Sequence, residues 1–147
     1  MRTKPSVADF SQEVLTAFRR RSKAISHKGA TLHAIPVKEI VDGRESKLSR
    51  SDVELIYRID SARVMLRIHT WADRWVWVDA RRSSKSGWVW ESTSEGRFSS
   101  PGGARDLVAY AEATLSAAHL SATDAPQAIS AIWSKCLTSK LAPGLLS

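Results

Sequence analysis

The residues best suited to chemistry in this chain are tryptophans and arginines. Four of its six tryptophans fall within residues 74–91, as two copies of one tripeptide: Trp75-Val76-Trp77 and Trp88-Val89-Trp90. Between the copies runs Arg81-Arg82-Ser83-Ser84-Lys85. Indole faces stack on unpaired bases, each stack contributing about 1–3 kcal/mol, and guanidinium groups both stack and hold phosphate. Single-strand RNA modules use sheet aromatics in this way. The same residue types are enriched at the centres of protein–protein interfaces, and aromatic side chains in strands also simply fill cores. Three arrangements are therefore open for the pair: core, seam between two copies, or platform for flat ligands.

Other chemistry is less well supported. His27, His33, His69 and His119 show no ligand spacing and Cys136 is the single cysteine, so no metal and no cofactor are expected. Cys136 falls on an apolar helical stripe and reads as a small buried hydrophobe. His69 could meet Asp73 or Asp79 across strands, but nucleophilic catalysis needs a further group placed by the fold, and no paired-carboxylate motif appears. Residues 99–105, Ser-Ser-Pro-Gly-Gly-Ala-Arg, lead into a helix start whose amides can meet an anion. They match neither the phosphate loop nor the dinucleotide fingerprint, and a turn without a ligand is the simpler reading. A binding protein is expected ahead of an enzyme, and no motif is specific enough to name a family.

The charge points the same way. The chain has a net charge of +7 and a pI near 10.0, a balance that favours phosphates, acidic proteins or anionic surfaces. Residues 1–50 hold eleven Lys/Arg against five Asp/Glu, and 51–100 hold eight against seven. With one cysteine no intrachain disulfide forms, which fits a reducing compartment, and no signal-like or membrane-spanning apolar run appears. A cytoplasmic location is the expectation. Residues 1–147 read as one domain, with termini 1–5 and 141–147 frayed and a polar, mobile loop over 42–51.

These residues need elements to position them. Ser6 caps a first helix whose apolar positions Val7, Phe10, Val14, Ala17 and Phe18 recur at helical spacing. Residues 31–41 read as a strand that Pro36 interrupts, which argues for an edge strand or a bend. Period two then takes over: strands at 52–59, 63–71, 74–80 and 88–92, with turns at 60–62, 72–73, 81–87 and 95–96. Ser100-Pro101 and Asp124-Ala125-Pro126 carry helix start signals before two apolar-striped helices. One block of about five strands with helices at both ends predicts an α+β fold: an antiparallel meander, with one N-terminal and two C-terminal helices on one face.

Alternation divides the strands into faces. Val53, Leu55, Tyr57, Ile59, Val64, Leu66 and Ile68 form an aliphatic side expected under the helices. Glu54, Ile56, Arg58, Met65, Arg67, His69 and Trp71 share the other. If the valines of both tripeptides continue the aliphatic side, Trp75, Trp77, Trp88 and Trp90 join Trp71, Arg58 and Arg67. Arg81, Arg82 and Lys85 then crown the hairpin tip. The reading is a face that binds single-stranded or distorted nucleic acid. The alternative uses the same face for a protein, as an adaptor, chaperone or inhibitor; a homodimer is expected in either case.

Overall fold

A computed structural model describes residues 9–25, 31–41, 44–59 and 61–138, with side chains described at 10–21, 31–34, 50–58 and 61–138. Helix α1 (Asp9–Ile25) is followed by strands β1 (Thr31–Val41), β2 (Arg44–Ile59), β3 (Ala62–Trp71), β4 (Trp75–Ser84) and β5 (Gly87–Arg97), then helices α2 (Ala104–Ala117) and α3 (Ala125–Ser134). The strands form one antiparallel sheet in the order β1-β2-β3-β4-β5. The fold is the α+β meander that the period-two block demands. Pro36, which has no amide to donate, lies in β1 at the sheet edge.

The aliphatic side is the core. Val53, Leu55, Val64, Leu66, Ile68, Val76, Val78 and Ala80 are buried against Phe10, Val14 and Phe18 of α1, Leu107, Val108, Ala111 and Leu115 of α2, and Ile129 and Trp133 of α3. Burying a branched aliphatic or aromatic side chain contributes about 1.5–3 kcal/mol, so this face holds the fold together. Register rows show how the helices seat. Toward β5 the row residues shrink, Val53–Ile68–Val78–Ser94 and Leu55–Leu66–Ala80–Ser92, and α3 lies over these small positions with Ser130 beside Ser92. At the other end a polar clasp fixes α1. The Ser51 hydroxyl donates to the Ser11 carbonyl (3.0 Å), the Ser11 hydroxyl to the Thr70 carbonyl (3.3 Å) and the Thr70 hydroxyl to the Ser51 carbonyl (3.1 Å). All three residues are buried, so each bond also removes an unpaired polar group from the interior.

Four local expectations need correction. Residues 44–51 of the expected loop are strand: β2 runs from Arg44 and pairs with β1, for instance Val41 with Arg44 and Val37 with Arg50. Polar composition there reflects a ribbon that extends beyond β3, whose pairing with β2 ends at Arg50–Trp71. Residues 42–43, the Ser6 cap and the termini 1–5 and 141–147 lie outside the described residues. Glu95-Gly96 is not a turn; β5 passes through it and pairs back to Trp75. The Arg81–Gly87 turn shrinks to its last residues, because β4 continues to Ser84 and only Lys85 and Ser86 lie between Ser84 and Gly87. Gly87 has φ 120°, which only glycine adopts without strain, and so permits this tight reversal. Finally, α2 starts at Ala104 rather than after Ser100, because Asp106 reaches back to accept from the Ser100 hydroxyl and the Gly102 amide (3.1 Å for the latter) and holds 101–103 as a turn. A Cβ on Gly102 would overlap that carboxylate.

Candidate binding face

Among the described residues no helix lies over the second side of the sheet. Its residues align across strands in four rows: Asp52–His69–Trp77–Glu95, Glu54–Arg67–Asp79–Thr93, Ile56–Met65–Arg81–Glu91 and Arg58–Arg63–Ser83–Trp88. The expected placement of Arg58, Arg67, His69, Trp71 and Trp77 on one side holds. The tryptophans as a set do not assemble there.

The pairing of β5 with β4 sets where the second pair goes. β4 and β5 pair Arg82 with Trp90 but Ser83 with Trp88, so Val89 has no partner and forms a β-bulge. Parity reverses at the bulge. Trp88 lands on the open side and is 59% exposed; Trp90 turns into the core at 7%. In the first tripeptide Trp75 keeps the parity of Trp77, yet it is 1% exposed, opposite Arg97. Trp77 is half-buried, stacked on His69 at 4.8 Å and 22°. Trp71 is also half-buried, with the Arg50 guanidinium over its ring at 5.6 Å. Trp75 and Trp90 therefore cannot serve as platform residues in this fold, and one indole out of five on the expected platform is freely accessible.

The arginines are also sorted. Arg67 pairs with Glu54 (3.2 Å) and Arg50 with Asp52 (2.9 Å). Arg81 places Nε and Nη2 on Asp79 Oδ2, each at 3.0 Å, approaches Glu91 at 3.8 Å, and lies over the Trp88 ring at 5.6 Å. Asp79 is 3% exposed, and its hydrogen bond and then its charge raise the Arg81 guanidinium above its ordinary value. Arg82 is not at a hairpin tip. It shares the core-side row Tyr57–Val64–Arg82–Trp90 and donates to the carbonyls of Ala118 (3.4 Å) and Leu120 (3.3 Å), satisfying acceptors at the end of α2. Of the cations expected to hold phosphate, Arg58 and Lys85 stay exposed without a carboxylate partner among the described residues. Arg63, which the sequence reading passed over, joins them: it sits directly opposite Arg58, is exposed too, and has no carboxylate partner among the described residues. Simple parity from Arg67 back along β3 gives its position.

The histidine reading changes partner. His69 Nδ1 meets Asp52 Oδ1 at 2.8 Å, not Asp73 or Asp79, and among the described residues Asp52 is its hydrogen-bond partner. Among the described residues no hydroxyl or thiol is hydrogen-bonded to it, so the pair has no nucleophile there to activate. Cys136 is buried as expected, and burial pushes its thiol up to about 11. Among the described residues no group of three or more His, Cys, Asp or Glu could hold a metal ion, and no helix is long and apolar enough to cross a membrane.

Exposed large apolar side chains gather at one end of the molecule. Among the described residues they are Trp88, Val89 and Leu120, and the latter two line one groove with Arg82 and His119, near the β2–β3 and β4–β5 turns. This end also holds Arg58, Arg63 and Lys85. The arrangement can offer one aromatic face, a row of free cations and a small apolar floor. Comparison of the chain with protein-family models, with curated proteins and with solved structures finds no match.

Proposed function

We propose that this chain is a binding protein that takes single-stranded nucleic acid at the turn end of its sheet. Trp88 stacks on a base, while Arg58, Arg63 and Lys85 contact phosphates. The observation that carries this reading is the row Arg58–Arg63–Ser83–Trp88: the one freely exposed tryptophan stands in line with two arginines that have no carboxylate partner among the described residues. Like charges directly opposite across a ladder are destabilising, and an anion between them would relieve that. Elsewhere on the same face each arginine meets a carboxylate, so phosphate has little to gain there. The reading is narrower than a four-tryptophan platform. One stacked base contributes about 1–3 kcal/mol, and three phosphate contacts give a log–log salt slope of about −2 for a single strand. The sole cysteine, free and buried, is in keeping with the cytoplasm.

The test is a titration with short single-stranded DNA and RNA at two salt concentrations, followed by intrinsic fluorescence, with the sample sized in parallel. Quenching that weakens with salt and is lost in both Trp88→Ala and Arg58→Gln/Arg63→Gln supports the reading. Quenching that persists in Trp88→Ala sinks it.

A second reading has its own observation. Val89 and Leu120, each 43% exposed, give the same end an apolar floor that phosphate does not need. An acidic protein segment bearing one apolar anchor, or a second copy of this chain, would use it. Such binding would fall with Leu120→Ser and respond far less to salt.

A further inference from the structure

We propose a second, separate site: the cleft between α1 and the start of α2 binds the phosphoryl group of a small molecule through Arg20, Arg74 and Arg105. The cleft has a volume of about 810 Å³ and lies at the opposite end of the sheet from Trp88. That is within the range of small-molecule pockets, about 300–1,000 Å³. Gln12, Glu13 and Thr16 of α1 form one wall, and residues 101–105 the other.

The molecule disposes of its arginines unevenly. Arg21, Arg50, Arg67, Arg81 and Arg97 each meet a carboxylate, and Arg82 meets two carbonyls. Arg20, Arg74 and Arg105 line one cleft together and none forms an ion pair among the described residues. Glu13 is the single acid among the cleft residues, so the cleft keeps a net positive charge. Arg74 is also held in place. Its Nε donates to the Phe98 carbonyl at 3.2 Å and its guanidinium lies over the Phe10 ring at 4.6 Å. Among the described residues neither terminal nitrogen of that fork has a hydrogen-bond partner, and a guanidinium already oriented loses little freedom when an anion arrives. Its backbone has φ 69°, uncommon for a residue with a long side chain. The helix start itself adds little, because Asp106 already takes the Ser100 hydroxyl and the Gly102 amide. The guanidinium groups carry the site. Their fork geometry suits phosphoryl oxygens better than a single carboxylate, and three of them suit a dianion.

The isotope-labelled full chain would be titrated with inorganic pyrophosphate, with 5′-AMP and with adenosine, following backbone amides and arginine Nε resonances. The expected result is movement at Arg74 Nε and at the Gly103 and Ala104 amides with pyrophosphate and AMP, and none with adenosine. Arg20→Gln, an exposed position where folding is not at risk, should weaken binding at least about tenfold, as should Arg105→Gln. Arg58→Gln/Arg63→Gln should leave it unchanged, which separates this site from the turn end. Comparing 5′-phosphorylated with 5′-hydroxyl oligonucleotides tells the source: preference for the phosphorylated strand places the same phosphoryl group on a nucleic-acid end, and no preference leaves it on a free small molecule. The proposal fails if millimolar pyrophosphate moves none of these resonances, if adenosine binds as well as AMP, or if the Arg20→Gln/Arg105→Gln variant binds undiminished.

Discussion

The two tripeptides Trp75-Val76-Trp77 and Trp88-Val89-Trp90 are identical in sequence and end in different places. In the first the ladder is unbroken, Val76 and Val78 enter the core and the tryptophans share a parity. In the second Val89 is an extra residue, itself 43% exposed, and the tryptophans part to opposite sides. Strand parity is a property of pairing, not of composition. β5 sits at the sheet edge, where bulges are common and where a twist also discourages pairing with another chain.

The sharpest way to break this comparison is to remove each tryptophan of the second copy. Trp90→Ala empties a core position beside Arg82, in a row that runs on to Val64 and that α2 closes, and should cost about 3–5 kcal/mol in urea unfolding. Trp88→Ala removes a ring that is 59% exposed, and should stay within about 1 kcal/mol. Equal losses would mean that the bulge is misplaced. The buried thiol gives the same contrast by another route. Cys136 belongs to the core cluster with Trp90, and its ionisation is held up to about 11, above the ordinary 9.0. The thiol is thus favoured in the fold, and its share of stability is present below about pH 9 and lost as pH rises toward 11. At neutral pH native Cys136 should label slowly with a thiol reagent, faster in Trp90→Ala and unchanged in Trp88→Ala.

Much of the architecture was legible because it depends on patterns that survive local accidents. Period two over Val53–Ile59 and Val64–Ile68, helical spacing of Phe10, Val14 and Phe18, and Pro36 at an edge all carry over into the structure wherever their side chains are described. The candidate site was legible only in part. Arg58, Arg67 and Trp77 were placed by parity within unbroken strands, whereas Trp90 was misplaced because its pairing with Arg82 sets it on the core side, and the unpaired Val89 moves only Trp88 to the open one. Arg81 and Arg82 read as a turn because Arg-Arg-Ser-Ser-Lys is polar, yet one is neutralised by Asp79 and the other closes α2. Charge runs say how many cations exist; only the fold says which ones already have partners.

A subtler test edits the bulge itself. Deleting Val89 joins Trp88 to Trp90 in plain alternation, with Ser83 and Arg82 as their partners unchanged. Both tryptophans should keep their sides, and stability should fall far less than in Trp90→Ala. A strand without the bulge would be flatter and more exposed at its edge, so the cost should appear as a tendency to aggregate. Had the two tryptophans shared a face, the same deletion would throw one of them across the sheet, and unfolding would show a large loss.

The smallest expected effect isolates Trp88 alone. Trp88→Phe preserves an aromatic face and the ring beneath Arg81, so stability should change by no more than about 0.5 kcal/mol. Its signature is optical. With Trp75, Trp90 and Trp133 buried and Trp71 and Trp77 half-covered by Arg50 and His69, most of the acrylamide-accessible emission should come from Trp88. The variant should lose that fraction and shift the remaining emission to the blue. If quenching by acrylamide is undiminished, another indole is accessible, the first tripeptide being the nearest source. Stacking at the turn end would then lose its one aromatic, and Arg58 and Arg63 would have to bind phosphate without it.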